Sequence, residues 1–99
     1  MKHYELWIES EVSSDFIEDP EDDNTSVIIT FDSGEKYTPL FITPSNIKKL
    51  MNNYKISGEC LYGKYLYIPD IIIVDRIDRQ TITEIIDDLI QKQEFFNQT

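Results

Sequence analysis

A glycine-bracketed stretch in the second half of the chain is the first candidate for chemistry. Residues 58–64 read Gly-Glu-Cys-Leu-Tyr-Gly-Lys and match the G-x-x-x-x-G-K core of a phosphate-binding loop, whose glycines admit phosphates to the backbone and whose lysine contacts them. The context does not fit, because Tyr65 stands where a serine or threonine would hold magnesium. The residues after Lys64 also read as a strand, whereas a phosphate-binding loop opens a helix. Nucleotide binding is therefore not the interpretation we favour.

Cys60 and His3 are the only cysteine and the only histidine in the chain. A catalytic thiol–imidazole pair would need the fold to bring these residues together and a third group to orient the imidazole. A buried structural thiol is a more common role for a free cysteine. Carboxylate pairs are not specific here, because so many acids produce chance pairs. We therefore expect no catalytic residues, no cofactor and no enzymatic activity.

The densest group of acidic side chains lies in residues 10–25, which we predict to be a long loop in which Phe16-Ile17 docks on the core. Its clustered acids are Glu18, Asp19, Glu21, Asp22 and Asp23. Such a group could bind calcium, which prefers several carboxylate oxygens. An EF-hand loop would, however, need glycine where Asn24 stands and glutamate where Thr30 stands. A solvated acidic loop is therefore favoured over a metal site.

Aromatic side chains are the remaining candidates for contact with a partner. Tyr65 and Tyr67 alternate within a predicted strand and would share one sheet face, where core packing is favoured over partner contact. Phe95 and Phe96 are adjacent, so both cannot face inward on a helix. We expect one of these two phenylalanines to be more than half exposed.

The size and composition of the chain predict a single domain over residues 1–99. Its 99 residues can form one core, and 40% hydrophobic residues suit a folded chain. With Cys60 alone no intramolecular disulfide can form, which is typical of a reducing compartment, so we expect a cytoplasmic protein. Glu5 and Glu9 interrupt the apolar run that a signal peptide would need, and no run reaches membrane-spanning length.

The negative charge is unevenly distributed along the chain. The formal net charge is -10, and residues 1–35 hold eleven acids against Lys2 alone, whereas residues 36–99 hold eight acids and eight bases. Such a field attracts basic surfaces and repels nucleic acid and anionic lipid. The inference would fail if Lys36, Lys48, Lys49 or Arg76 folded over the acidic segment and neutralised it.

Five strands and two helices can be placed on the pattern of apolar residues. The strands are predicted at residues 3–9, 27–31, 36–42, 64–68 and 71–74. The apolar strand at 71–74 should lie centrally in the sheet. The first helix, at 44–54, follows a Thr43 cap, and the second begins after either Asp78 or Thr81. We therefore predict an α+β fold, with a mostly antiparallel sheet of about five strands, two helices packed against it and the order β-β-β-α-β-β-α.

Three short stretches carry a resemblance to a known group of proteins. They are Gly58-Glu59-Cys60-Leu61, Gly63-Lys64-Tyr65 and Asp70-Ile71-Ile72-Ile73-Val74-Asp75. The pattern resembles one found in small acidic bacterial proteins and extends from the strand at Val27 through the final helix. The resemblance implies a compact bacterial domain, but that group has no established activity and so implies no site. A toxin-immunity-like role is one interpretation of it.

Charge and size together favour a protein-binding function. We expect an immunity or inhibitor protein that neutralises a basic partner such as a toxin nuclease, whose cleft is cationic. The predicted partner-binding residues are Phe16, Glu18, Asp19, Glu21, Asp22 and Asp23. The alternative is a homo-oligomeric structural or regulatory domain that pairs through an edge strand or the last helix. Direct binding to nucleic acid or membrane is not expected.

Overall fold

The computed structural model describes residues 3–12 and 19–92, which form a sheet and four helices. The strands are β1 (Tyr4–Ile8), β2 (Asn24–Phe31), β3 (Lys36–Tyr37), β4 (Leu40–Ile42) and β5 (Ile71–Ile73). The helices are α1 (Glu9–Val12), α2 (Pro44–Ser57), α3 (Glu59–Gly63) and α4 (Arg79–Gln91). The predicted α+β fold with a sheet of five strands and two main helices, α2 and α4, is confirmed.

The sheet has the order β1-β2-β4-β5, and β3 also pairs with β2. Strands β1, β3 and β4 all run antiparallel to β2, whereas β5 runs parallel to β4. Strand β5 therefore ends the strand order, and its Ile73 is 60% exposed. The prediction of a central strand at 71–74 is wrong, because an all-apolar run does not show which neighbours a short strand will find.

The core lies between one face of the sheet and helix α4. Alternate residues of β2 are buried on this face, including Val27, Ile29 and Phe31, as the period of two in a strand requires. Ile82 and Ile86 of α4 are four residues apart, lie on one side of the helix and are fully buried in the same cluster. Burial of each such side chain contributes roughly 1.5–3 kcal/mol.

Polar contacts at the start of helix α4 cap the helix and join it to α1. The Asp78 carboxylate accepts a hydrogen bond from the backbone N–H of Thr81 at 2.7 Å, so Asp78 is the N-cap that the sequence left open between two residues. Arg79 forms a two-pronged ion pair with Glu11, with N–O distances of 2.8 and 2.7 Å. Because both side chains are partly exposed, we expect this pair to contribute less than about 1 kcal/mol.

Tyr4 in β1 makes a second contact with α4 that predicts a pH dependence. Its hydroxyl donates to the Asp87 carboxylate at 2.7 Å, and burial together with this bond raises the pKa of Tyr4 from 10.0 to about 12. Because this pKa is higher in the folded chain, the stabilisation is complete below about pH 10 and is lost as the pH rises towards 12. We expect unfolding free energies measured between these pH values to fall less steeply for Tyr4→Phe than for the wild type.

Burial also raises the pKa of Tyr37. Part of the loss of stability at alkaline pH should therefore remain in the Tyr4→Phe variant. A slope unchanged by Tyr4→Phe would show that the Tyr4 hydroxyl has no such role.

Two predicted strands differ from the structure. The strand predicted at 36–42 is divided into β3 and β4 around the buried Pro39. Proline has no N–H to donate to a neighbouring strand, so it interrupts the strand at this point. The strand predicted at 64–68 is absent, and these residues form an irregular connection to β5. Alternation of apolar residues suggested a strand there, but within the described residues β5 pairs only with β4 and leaves that stretch no ladder partner.

Helix α2 begins as predicted and ends later than predicted. Thr43 caps its first turn, and Pro44 occupies the first helical position. The helix continues to Ser57 and ends at Gly58, whose left-handed backbone lets its N–H donate to the Tyr54 carbonyl at 2.8 Å. No residue of α2 is fully buried, and no helix in the described ranges combines the length and apolar content needed to cross a membrane.

Candidate protein-binding surface

The acidic segment is tied to the start of helix α2 by Thr43, whose side chain is fully buried. The Thr43 hydroxyl accepts hydrogen bonds from the N–H of Asp23 at 3.1 Å and of Asn46 at 3.3 Å. The Asp23 carbonyl accepts in return from the Thr43 N–H at 3.1 Å and from its hydroxyl at 3.3 Å. One threonine therefore caps the helix and holds the end of the acidic segment against it.

Two further contacts hold the middle of the segment. The Asp22 carboxylate lies 3.3 Å from the Lys49 ammonium and accepts a 3.3 Å hydrogen bond from the Asn46 amide. The Pro20 carbonyl accepts from the backbone N–H of Ile77 at 2.7 Å. This last bond joins the segment to the connection between β5 and α4. The backbone of residues 20–23 is therefore held at both ends, at Pro20 by Ile77 and at Asp23 by Thr43, and the Asp22 side chain adds contacts with α2.

The bond between Pro20 and Ile77 brings a second group of acids beside the first. Asp75 and Asp78 lie within two residues of Ile77 in the chain, so this bond places their backbone near the acidic segment. We call the combined surface the anionic face, and it consists of Asp19, Glu21, Asp22, Asp23, Asp75 and Asp78.

Two cations lie on the anionic face, and each is already paired. Lys49 contacts Asp22, and Arg76 contacts Asp78 at 2.6 Å. Six carboxylates against these two cations leave four excess negative charges. Within the described ranges the other four carboxylates form no ion pair, and Asp19, Glu21 and Asp75 are exposed. The face is thus partly neutralised at two positions and stays strongly negative elsewhere.

Hydrogen bonds keep the Asp78 carboxylate ionised. The backbone N–H of Thr81 and the nearby Arg76 guanidinium lower the pKa of Asp78 below its ordinary value. Asp78 therefore carries its charge throughout the neutral and mildly acidic range. Among residues 3–12 and 19–92, no three side chains of His, Cys, Asp or Glu are grouped so that they could hold a metal ion.

The structure describes four of the six predicted partner-binding residues. Asp19, Glu21, Asp22 and Asp23 lie together on the anionic face, while Phe16 and Glu18 lie outside the described residues. Of the loop predicted at 10–25, residues 10–12 belong to α1 and residues 24–25 to β2, and residues 13–18 lie outside the described residues. Asp75 and Asp78 were not predicted as site residues, since only the tertiary contact through Ile77 places them there.

The short element α3, which follows helix α2, is a left-handed turn over residues 60–62 and not a right-handed helix. The backbone has positive φ at three successive residues that are not glycine. The values are 52° at Cys60, 52° at Leu61 and 58° at Tyr62. This backbone costs roughly 1–2 kcal/mol per residue for L-amino acids. Gly63 closes the turn against the backbone of α2, where it is buried. The packing of Gly63 on α2 is therefore what holds a strained turn in place.

The residues around this turn expose large apolar side chains. Ile56, Leu61 and Tyr62 are 87%, 65% and 68% exposed, and Tyr65 and Tyr67 beyond the turn are also exposed. The prediction that Tyr65 and Tyr67 pack in the core is wrong, because the strand that would have buried them is absent. Exposed tyrosines and aliphatic residues are common in protein contacts, so this region is a second surface suited to a partner.

Residues of the glycine-bracketed stretch show no assembled chemistry. Cys60 is half-buried, whereas a purely structural thiol would be buried. Its backbone lies in the strained turn. His3 is exposed beside the start of β1. The stretch follows a helix and closes as a left-handed turn, whereas a phosphate-binding loop follows a strand and opens a helix.

Comparisons with known proteins returned no match among protein-family models, curated proteins or solved structures.

Proposed function

We propose that this chain is an acidic protein-binding domain whose anionic face holds the cationic surface of a basic protein. The observation that carries the proposal is the fixed backbone of residues 20–23, which is bonded to Thr43 and to Ile77. A charged loop in solution would lose conformational entropy on binding, whereas a fixed one has already lost it. The backbone that carries these carboxylates is therefore held in one arrangement before the partner arrives.

The electrostatics of the face suit a basic partner. Asp19, Glu21 and Asp75 are exposed and form no ion pair with a described residue, so a partner's lysines and arginines would not have to displace existing cations. Complementary charge increases the rate of encounter and disfavours wrong partners, and both effects weaken with salt. The same face would repel nucleic acid and anionic membrane surfaces.

An immunity or inhibitor protein is the role that we propose within this class. A nuclease binds its substrate through a cationic cleft, and a small domain with a rigid anionic face can occupy such a cleft. The function requires no catalytic group of its own. It also suits a cytoplasmic location, where a toxin nuclease would meet its substrate.

Capture from a lysate of the source cells tests the proposal. The bait is the tagged full chain, as wild type and as the triple variant Asp19→Asn, Glu21→Gln, Asp75→Asn, which removes three charges and keeps the side-chain shapes. We expect the wild type to retain one basic protein that elutes as salt rises. The triple variant should retain about tenfold less, because attraction falls with each charge removed. The retained protein should have nuclease activity that the wild-type domain inhibits.

The matched control removes three charges elsewhere, with Asp32→Asn, Glu35→Gln and Glu59→Gln. Asp32 and Glu35 lie at the opposite end of β2, roughly 26 Å from the acidic segment at about 3.3 Å per strand residue. Glu59 follows the far end of α2. Equal loss of capture by both variants would show that binding depends on the total charge of the domain and not on the anionic face. The proposal would then be wrong.

A further inference from the structure

Strand β1 is an edge of the sheet and, among the residues that the structure describes, lacks the usual protection. It pairs with β2 on one side, and no other described strand pairs with it. Native proteins protect such edges with proline, bulges or several charges, since the unpaired backbone groups can bind another strand. The sequence of β1 is Tyr-Glu-Leu-Trp-Ile, which contains neither proline nor glycine and a single charge at Glu5.

The backbone bonds of β2 show which groups of β1 point outward. The Phe31 N–H donates to the Glu35 carbonyl at 2.9 Å, on the side of β2 away from β1. Tyr4 stands opposite Phe31, so in an antiparallel pair Tyr4 turns its own N–H and C=O away from β2. The Asp32 N–H donates to the His3 carbonyl at 3.4 Å, so His3 points its carbonyl towards β2. Because successive residues of a strand point their backbone groups to opposite sides, Tyr4 points its groups away from β2.

The same alternation applies along the whole strand. The N–H and C=O groups of Tyr4, Leu6 and Ile8 point to the free edge, while their side chains pack against the core. Glu5 and Trp7 bond to β2, and their side chains lie on the sheet face opposite helix α4. Trp7 is 40% exposed on that face. The free edge is therefore regular over its full length.

An antiparallel pair of two such edges has three registers in which more than one outward-pointing residue of each copy meets an outward-pointing residue of the other. A two-fold axis at Glu5 would place two carboxylates directly opposite each other, which is unfavourable. An axis at Trp7 would pair Leu6 with Ile8 of the second copy and leave the outward groups of Tyr4 without a β1 partner. An axis at Leu6 pairs Tyr4 with Ile8 of the second copy, so all three outward N–H groups of each copy find a carbonyl.

The register centred on Leu6 is also free of like-charge contacts. It places Glu5 of one copy opposite Trp7 of the other. The single charge of the strand therefore disfavours the register with its axis at Glu5 and permits the register with its axis at Leu6. We propose that β1 binds β1 of a second copy in this register and joins the two sheets into one.

The anionic face contacts the residues that follow β4 and β5, near the other side of the sheet, so both surfaces can be occupied together.

Light scattering of the full wild-type chain tests the pairing. We expect the mass to rise from 11.7 kDa towards twice that value as concentration increases from about 10 μM to about 1 mM. Trp7→Glu places two carboxylates opposite each other on both sides of the axis and should weaken association at least about tenfold. Ile73→Glu adds a charge to an exposed position of the opposite strand β5 and should leave association unchanged.

Disulfide cross-linking tests the register with changes on the exposed sheet face alone. In a Cys60→Ser background, Glu5→Cys and Trp7→Cys proteins are oxidised separately and as a mixture. In the Leu6 register, residue 5 faces residue 7 of the other copy in a closely spaced pair, which suits a disulfide. The mixture should therefore form a covalent dimer about tenfold faster than either protein alone.

Three results would overturn the proposal. A mass that stays at 11.7 kDa up to about 1 mM would exclude the pairing. Cross-linking of Glu5→Cys alone, or of Trp7→Cys alone, at the rate of the mixture would exclude the register. Circular dichroism of each variant separates these outcomes from loss of folding.

Discussion

Replacing Gly63 with alanine is expected to lower the free energy of unfolding by about 3 kcal/mol. The Gly63 backbone has φ of +78°, which L residues rarely adopt. A Cβ atom there would also lie 2.4 Å from the Met51 carbonyl oxygen and 2.7 Å from Cγ of Lys55. The Met51 oxygen belongs to the backbone of α2 and cannot move without breaking the helix. The left-handed turn at 60–62 would then lose its support.

Gly34→Ala is the matched control for this prediction. Gly34 has φ of +92°, similar to that of Gly63, but a Cβ atom there meets nothing within 4 Å. This variant should lose only about 1 kcal/mol, the cost of the backbone conformation. Urea unfolding followed by circular dichroism measures both. Equal losses would show that the contact of Gly63 with α2 contributes nothing to stability.

Replacing Thr43 with valine is expected to lower stability by about 2 to 3 kcal/mol. Valine keeps the shape of the side chain and removes the hydroxyl that accepts from Asp23 and Asn46. The helix then loses its N-cap, and two N–H groups in a partly buried site lose their acceptor. Because Thr43 also holds the acidic segment, the variant should increase hydrogen exchange at Asp23 relative to the wild type.

Thr43→Ser keeps the hydroxyl and loses only a methyl group, so it should retain the cap and cost about 1 kcal/mol. Thermal or urea unfolding of the two variants gives the comparison. If the serine variant were destabilised as much as the valine variant, packing of the methyl group would explain the effect and the hydrogen bonds would not.

Local sequence patterns predicted the elements that are determined by local interactions. Thr43 and Pro44 mark a helix start because the capping hydroxyl and the missing proline N–H act within one turn. The stripe of α4 that includes Ile82 and Ile86 was readable because burial on one helix side repeats every three or four residues. These residues needed no knowledge of distant strands.

Features that depend on distant neighbours could not be predicted. Within residues 3–12 and 19–92, strand β5 pairs only with β4 and so lies at the edge. Residues 64–68 pair with no strand in the same ranges, although their alternation is typical of a strand. The left-handed turn at 60–62 has no local preference in its favour, since the conformation is unfavourable for cysteine, leucine and tyrosine alike. Its existence depends on the contact of Gly63 with α2.

The candidate site was half predictable for the same reason. Charge density along the chain indicated the acids at 19–23, because the run is visible in the sequence itself. Asp75 and Asp78 join them through one backbone bond from Ile77 to Pro20, which no local pattern shows. Which of the four candidate cations would pair with the acids is not visible in the sequence. In the structure, Lys49 pairs with Asp22 and neutralises one carboxylate of the face.

The most direct test of the anionic face is a titration of the captured basic protein with the wild-type domain and the two triple variants, at low and at high salt. Our account predicts that the variant at Asp19, Glu21 and Asp75 binds about tenfold more weakly at low salt and depends less on salt, while the control variant stays within about twofold of the wild type. Equal affinities of the two variants would contradict it.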